Sequence, residues 1–486
     1  MKLEVKDVRQ GLEKQVVMAL DLVEEGSQLS QQEQVSRQLP KGVTPKLLYK
    51  DIIRIAWPSL VELTLTQLTS MVDMMMVGQL GAWAIASVGF TMQPKFLMMT
   101  MFIAMNVGAT ALVARYKGAG EQEKANLIMR QALLLSFVLS AVASIIGYVF
   151  SEPMIRFMGA NEPATIEGGT IYLQIQMVGF VFMALTSTIT AVLRGVGNSR
   201  IAMIYNLVAN VVNVILNYGL IYGRLGLPKL GLAGASLATI IGQFVAFLLA
   251  VYVIMDGKQY LHLRLKDGFK PHWQSLKSIF NIGVPAMIEQ LVMRTGMIIY
   301  ARTVASLGTV VMATHQVAMN IQAMSFMSGQ AFAVSATSLV GQSLGKIRSD
   351  MARFYADHTR RIGAIVSYIL AIAFFFFGRQ IVGLYSNDPA VISQGAEILK
   401  LVAFVQPFQS AQFILAGALR GAGDTRATAI ITLLTVLFVR PGLALYFVHI
   451  GLGLKGAWYA LVVDQLLRSL LVLMRYRSGK WQSIRV

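Results

Sequence analysis

Four polar side chains recur along one otherwise apolar run near the start of the chain. Glu62, Thr66, Thr69 and Asp73 follow one another at intervals of 4, 3 and 4 residues. Residues three or four positions apart lie on the same face of a helix. Ionisable groups inside a membrane are costly and usually serve binding or transport. The spacing therefore predicts a polar stripe on a membrane helix, with Asp73 as a candidate ion-binding carboxylate.

The composition explains why this helix is expected to cross a membrane. The chain has 486 residues, of which 55% are hydrophobic and only 14% are charged, whereas soluble domains carry about a quarter charged residues. Apolar runs of about 20 residues are long enough to cross a bilayer. We predict an all-α polytopic membrane protein with twelve transmembrane helices near 51–77, 90–114, 127–150, 170–192, 201–222, 231–255, 276–301, 313–340, 361–384, 396–418, 426–448 and 454–475.

The charged residues predict the orientation of these helices. The formal net charge is +18, but the basic residues lie in short loops and form no single patch, which argues against a nucleic-acid partner. Basic residues follow every second helix, and the positive-inside rule then places both termini in the cytoplasm. The compact loops favour a bacterial inner (plasma) membrane. Residues 1–47 are predicted to be a cytoplasmic extension and 479–486 a cytoplasmic tail.

Signs of catalytic chemistry are missing from the sequence. Cysteine is absent, so thiolate metal sites and cysteine nucleophiles are excluded. The sequence contains no P-loop, catalytic triad or metal-ligand histidine spacing. We therefore expect neither an enzyme nor a bound cofactor.

The two halves of the chain repeat one another. Leu193-Arg194-Gly195-Val196-Gly197-Asn198-Ser199-Arg200 returns as Leu419-Arg420-Gly421-Ala422-Gly423-Asp424-Thr425-Arg426. Pro58 and Glu62 return as Pro285 and Glu289, at nearly the same offset. Because each half holds six helices, the halves enter the membrane in the same direction, as parallel repeats of secondary transporters do. We predict a first lobe at 48–256, a cytoplasmic linker at 257–275 and a second lobe at 276–478.

The repeat also separates Asp73 from the other acidic residue of the stripe. The position equivalent to Asp73 in the second half is Tyr300, whereas Glu62 is matched by Glu289. A residue that served only the shared fold would be expected in both halves. This asymmetry favours a coupling-ion role for Asp73 in one lobe.

Several motifs resemble the multidrug and toxic compound extrusion (MATE) family. They are Trp57-Pro58 with the stretch 71–78, the two Leu-Arg-Gly elements given above, and the stretch 339–345. The resemblance covers about residues 48 to 478. It implies a V-shaped pair of six-helix bundles that exports organic, mainly cationic compounds in exchange for H⁺ or Na⁺, by rocking of the two lobes.

The same resemblance implies a site in the first lobe. Asp73 matches the cation-coupling carboxylate, and Asn213, Asn217 and Thr239 match its polar partners. Carboxylate, amide and hydroxyl oxygens can hold Na⁺, and they can equally hydrogen-bond a protonated Asp73. Pro58 matches a proline at which this helix bends.

Four further residues are expected to line the cleft and contact substrate: Glu62, Thr66, Glu289 and Gln409. Negative charge there would attract cationic compounds. Gln409 occupies a position at which some MATE proteins carry a carboxylate, which argues against a coupling site in the second lobe. The alternative function is a lipid-linked oligosaccharide flippase of the same superfamily. We expect a monomer whose partners are its small-molecule substrates and the surrounding lipid.

Overall fold

The computed structural model describes residues 43–386 and 388–484, and regular secondary structure in these ranges is helical. The first half contains α1 (Pro45–Gly78), α2 (Ala82–Ala119), α3 (Gln122–Val149), α4 (Ser151–Phe157), α5 (Pro163–Gly195), α6 (Ser199–Tyr222) and α7 (Gly231–Met255). Most of the predicted N-terminal extension, 1–47, lies outside the described residues. Residues Lys50–Val486 belong to one compact unit.

The second half repeats this order, and its described residues include no counterpart of the short helix α4. It contains α8 (Trp273–Ala305), α9 (Thr309–Gly345), α10 (Ser349–Gly383), α11 (Pro389–Gly421), α12 (Thr425–Thr432), a π-helical segment (Leu433–Val439), α13 (Arg440–His449) and α14 (Gly453–Arg477). The segments from α12 to α13 follow one another without a break and form one span, Thr425–His449.

Within the described ranges, twelve long helices therefore occupy the positions of the twelve predicted spans. Eleven of them are long and apolar enough to cross a membrane. The twelfth, α9, is 37 residues long and carries several buried serines, among them Ser325 and Ser328, and a buried glutamine, Gln322. Such polar residues are tolerated in a membrane helix when neighbouring helices cover them. The predicted all-α polytopic class is confirmed.

Helix ends extend beyond the predicted spans because the sequence pattern reports only the apolar centre of each helix. The ninth span was predicted at 361–384, whereas α10 begins at Ser349. Its extra turns carry Arg353 and Arg360, and helices of this length can project beyond about 30 Å of hydrocarbon.

Helix α1 runs through Pro58 without interruption. Proline lacks an N–H and leaves a carbonyl of the preceding turn without its helical partner. At the next residue, the Ser59 hydroxyl donates to the Ile55 carbonyl at 3.0 Å. The hinge role of Pro58 remains a prediction.

The first turns of α1 and α8, which are equivalent helices of the repeat, each pack against the opposite half of the molecule. Ile52, Ile55 and Ala56 of α1 belong to a buried apolar cluster whose other members come from the second half. Ile279 and Ile282 of α8, the equivalents of Ile52 and Ile55, belong with Ala286 to a cluster whose other members come from the first half and the linker. The two halves are therefore packed together at the end of the molecule that carries the basic loops.

The linker and the tail are packed parts of the fold. The linker is tied to α3: the His262 backbone N–H donates to the Asn126 side chain at 3.1 Å, and the Gln131 amide donates to the Lys270 carbonyl at 2.8 Å. In the tail, Trp481 is fully buried and stacks on the ring of Tyr476. These contacts fix both segments against the helices.

A charged cluster lies inside the second half. Asp464 accepts hydrogen bonds from Arg440 and, at 2.7 Å, from Arg468 one turn away, and all three side chains are buried. The spacing of four residues puts Asp464 and Arg468 on one face of α14. A carboxylate between two guanidinium groups keeps both cations paired inside the membrane region.

Candidate functional site in the first half

A cavity of about 450 Å³ lies between α1, α2, α5, α6 and α7. Its apolar walls include Met74, Met92 and Met183, and its polar groups include Thr66 and Asp73. Among the described residues that line it, Asp73 is the only carboxylate. A mainly apolar cavity with a few converging polar groups is the usual form of a small-molecule site.

The predicted partners of Asp73 surround its carboxylate. The Asn217 amide donates to Asp73 Oδ1 at 2.6 Å. The Asn213 side chain is oriented so that both its nitrogen and its oxygen have partners. Its nitrogen donates to Asp73 Oδ1 at 3.0 Å and to Asp73 Oδ2 at 3.1 Å, and its oxygen accepts from the Thr239 hydroxyl at 3.3 Å. The structure therefore brings all four residues of the predicted cluster together.

Close helix packing makes this arrangement possible. A Cβ on Gly242 of α7 would lie 3.0 Å from the Ala209 carbonyl and 3.1 Å from Asn213 Cβ on α6. The absence of a side chain at Gly242 lets α6 and α7 approach closely, which brings Thr239 into contact with Asn213.

The polar stripe on α1 faces a matching row of asparagines on α6. Asn206, Asn210, Asn213 and Asn217 are spaced by 4, 3 and 4 residues, as the stripe is. Asn206 donates to Glu62 at 2.7 Å, and Asn210 donates to Thr66 at 3.3 Å. Asn206 and Asn210 were not among the predicted site residues, although their spacing was the signal that could have found them.

Glu62 and Glu289 do not present free negative charge to a cleft. Glu62 is 7% exposed and forms an ion pair of 2.7 Å with Arg194. Glu289 is 4% exposed and pairs with Arg420 at 2.5 Å, while the Thr428 hydroxyl donates to its other oxygen at 3.0 Å. Each glutamate is thus neutralised by the arginine of the repeated Leu-Arg-Gly motif.

The arginines of these pairs, and not the glutamates, line a second cavity of about 240 Å³ between the halves. Gln409 is 1% exposed, and its side-chain nitrogen and oxygen have no hydrogen-bond partner. Glu62, Glu289 and Gln409 are buried in the structure and do not line this cavity, and their role as substrate contacts stays a prediction. Sequence spacing could not reveal this because each ion pair joins residues of different helices that lie far apart in the chain.

Replacing Glu289 by Gln should destabilise the fold. Any transport by the variant should still depend on the ion gradient. The substitution leaves the Arg420 guanidinium, which is 17% exposed, without its counter-charge, which we expect to cost about 3 kcal/mol. The apparent Tm in detergent micelles measures this loss. Glu397→Gln is the matched control: Glu397 is half exposed beside Lys455, so we expect a change below about 1 kcal/mol. Equal Tm shifts for the two variants would contradict the structural role of Glu289.

Lys95 was not predicted as a site residue, yet it lies on the wall of the cavity that contains Asp73. Its Nζ donates to Gln176 Oε1 at 2.8 Å. The signal was present, because Lys95 is a charged residue inside the predicted span 90–114. Its equivalent in the second half is Gln322. Neither of the two charged residues of this cavity therefore has a charged equivalent in the second half.

The cluster around Asp73 offers two ways to hold a cation. Protonation of the carboxylate would neutralise it in place. Sodium would need oxygen ligands, and the Asn217 Oδ1 is buried without a hydrogen-bond partner. No group of three histidine or acidic side chains suited to a metal ion occurs among the residues that the structure describes.

Comparison with curated proteins finds relatives across almost the whole chain. "Probable multidrug resistance protein NorM" of Thermotoga maritima is 28% identical over 446 residues, which cover 91% of this chain and 95% of that protein. "Multidrug resistance protein PmpM" of Pseudomonas aeruginosa is 29% identical over 439 residues, covering 87% and 90%.

Solved structures show the same fold. One, described as the "outward-facing conformation of a multidrug resistance MATE family transporter of the MOP superfamily", has a TM-score of 0.83 and 23% identity and covers 91% of this chain and all of that one. A second, a MOP superfamily transporter from Pyrococcus furiosus, has a TM-score of 0.83 and 22% identity and covers 91% and 98%.

The family model MatE matches residues 58–219 and 285–445, once in each half. The two matched segments begin at Pro58 and Pro285, which occupy equivalent positions in the repeat. With twelve long helices in its described part, this chain is a multi-pass membrane protein and belongs to the MATE family of transporters.

Proposed function

We propose that this protein exports organic compounds by antiport, with H⁺ or Na⁺ entering as the compound leaves. The observation that carries the proposal is the position of Asp73, which lies in a cavity and is held by Asn213 and Asn217. An ion bound there and a substrate bound in the cavity favour different conformations of the two halves, so the ion gradient drives export.

Other observations support the substrate class. Two relatives are named as multidrug resistance proteins. The cavity wall contains several methionines, and flexible thioether side chains suit sites that accept varied compounds. We place the transporter in the inner membrane of a bacterium, with both termini in the cytoplasm, and as a monomer.

Transport by the purified chain in proteoliposomes tests the proposal. Efflux of a fluorescent organic compound should accelerate at least about tenfold when a pH gradient or a sodium gradient is imposed separately, and the gradient that acts identifies the coupling ion. Flux that continues downhill at channel rates, whatever the ion gradient, would overturn the antiport mechanism.

A flippase for lipid-linked oligosaccharides remains the alternative, and one observation favours it. Arg194 and Arg420 line the cavity between the halves, as expected for a site that binds phosphate groups. Their pairing with Glu62 and Glu289 leaves this site without net charge, which favours antiport. Inversion of a lipid-linked sugar in the same vesicles, without export of free compounds, would reverse the choice.

A further inference from the structure

We propose that the cavity of about 450 Å³ in the first half binds dipolar compounds, with an anionic group at Lys95 and a cationic or hydrogen-bond-donating group at Asp73. This inference rests on the proposed export of organic compounds and names their class. It assigns substrate recognition to Lys95.

The protein provides hydrogen-bond acceptors for only part of the Lys95 ammonium group. An ammonium carries three N–H donors, and the one hydrogen bond that the structure gives it runs to a neutral amide oxygen, that of Gln176. Gln176 is itself held in place, because its nitrogen donates to the Ser236 hydroxyl at 3.2 Å. The ammonium is thus positioned by one bond and has donors left for a ligand in the cavity.

The two charges of the cavity do not form an ion pair with each other. Lys95 and Asp73 line the same cavity, but no ion pair of 4.0 Å or less joins them. Asp73 is satisfied by the amides of Asn213 and Asn217 and does not need Lys95 as a partner. A positive and a negative group held apart in a mainly apolar cavity are complementary to a ligand that carries both charges.

The second half shows that the fold does not require these charges. The positions of Asp73 and Lys95 are taken there by Tyr300 and Gln322, both neutral and buried. The Tyr300 hydroxyl donates to the Ala457 carbonyl at 2.9 Å, within its own half. Since the repeat tolerates neutral residues at both places, the joint presence of the charges in the first half points to a ligand.

A pair of probes separates this proposal from simple binding of cations. One probe is a fluorescent compound that carries an ammonium and a carboxylate; the other is its methyl ester, which keeps the ammonium and loses the negative charge. We expect the wild-type chain in lipid nanodiscs to bind the first probe at least about tenfold more tightly than the second, as a buried charge contact implies.

The variant Lys95→Gln carries the residue of the equivalent position in the second half. It should weaken binding of the dipolar probe at least about tenfold and leave the ester within about threefold, and Lys95→Arg should restore much of the loss. Lys400→Gln, which removes a half-exposed lysine of α11, is the control and should change neither affinity.

Two results would overturn the proposal. In the first, the wild-type chain binds the ester as tightly as the dipolar probe. In the second, Lys95→Gln weakens both probes equally, which would make Lys95 a structural residue or a competitor for the ion at Asp73. Binding is measured at equilibrium without a gradient. A chain that binds the dipolar probe selectively but does not exchange it for ions would refute the antiport mechanism alone.

Discussion

Asp73→Asn is expected to abolish ion-driven export while leaving the fold intact. The amide has nearly the same shape as the carboxylate, and its oxygen can still accept the hydrogen bond that Asn217 gives to Asp73 at 2.6 Å. It can neither take up a proton nor offer a negative charge to Na⁺. With no other carboxylate among the described residues of the cavity wall, the site loses its ability to exchange cations.

The measurement is efflux from proteoliposomes under the gradient that drives the wild-type chain. We expect the gradient-dependent rate to fall to the rate of protein-free vesicles. Asp350→Asn serves as the control, because this carboxylate pairs with Arg348 on the basic side of the molecule, away from the cavity. That solvent-accessible pair contributes at most about 1 kcal/mol, so transport should persist. Gradient-dependent efflux that survives in Asp73→Asn would disprove the coupling role.

Much of this site could be predicted from the sequence because its geometry is local to two helices. Spacing alone places Asp73 on the polar face of α1 and puts Asn213 and Asn217 on one face of α6. The repeat adds the contrast with Tyr300. The family resemblance then joins the two helices, and the structure confirms that these side chains meet.

The features that the sequence could not predict depend on contacts between distant segments. Glu62 and Glu289 looked alike in the sequence and were predicted to line the cleft, but their burial beside Arg194 and Arg420 follows from helix packing. Lys95 was not predicted as a site residue because the positive-inside rule concerns basic residues of the loops outside the membrane. A basic residue inside a predicted span is costly in the membrane, as Asp73 is, and is likewise a candidate functional residue.

The two halves are in close contact at the ends of two repeat-related helices, α2 and α9. The basic ends of α2 and α9 touch at two glycines, Gly118 and Gly345, which occupy equivalent positions in the repeat. A Cβ on Gly118 would lie 2.0 Å from the Gln342 carbonyl oxygen, and one on Gly345 would lie 2.0 Å from that of Arg115. Carbon and oxygen atoms normally approach to about 3.3 Å, so a methyl group at either place forces the helices about 1 Å apart.

Gly118→Ala and Gly345→Ala should therefore each shift the chain away from the conformation in which these helix ends are packed together. Overpacking of this kind costs about 1–3 kcal/mol, which corresponds to roughly a 5- to 150-fold change in the ratio of two conformations. A transporter that must alternate between conformations then slows, because one of them is rarely visited. Other contacts across the halves, such as the Gln342 amide donating to the Gly195 carbonyl at 2.9 Å, would be lost in the shifted state.

Pulsed electron resonance between two spin labels measures this shift directly. The sequence contains no cysteine, so Glu121→Cys and Lys346→Cys, both at exposed positions beyond the two helix ends, introduce the only attachment sites. In either alanine variant the short-distance population should decrease in favour of a longer one. Gly89→Ala is the matched control, since a Cβ on this glycine of α2 meets nothing within 4 Å, and its distances should equal those of the unsubstituted chain. If all three variants give one distribution, the glycine contact does not set the balance between conformations, and the close approach of α2 and α9 must be held by the apolar clusters around Ile52 and Ile279 instead.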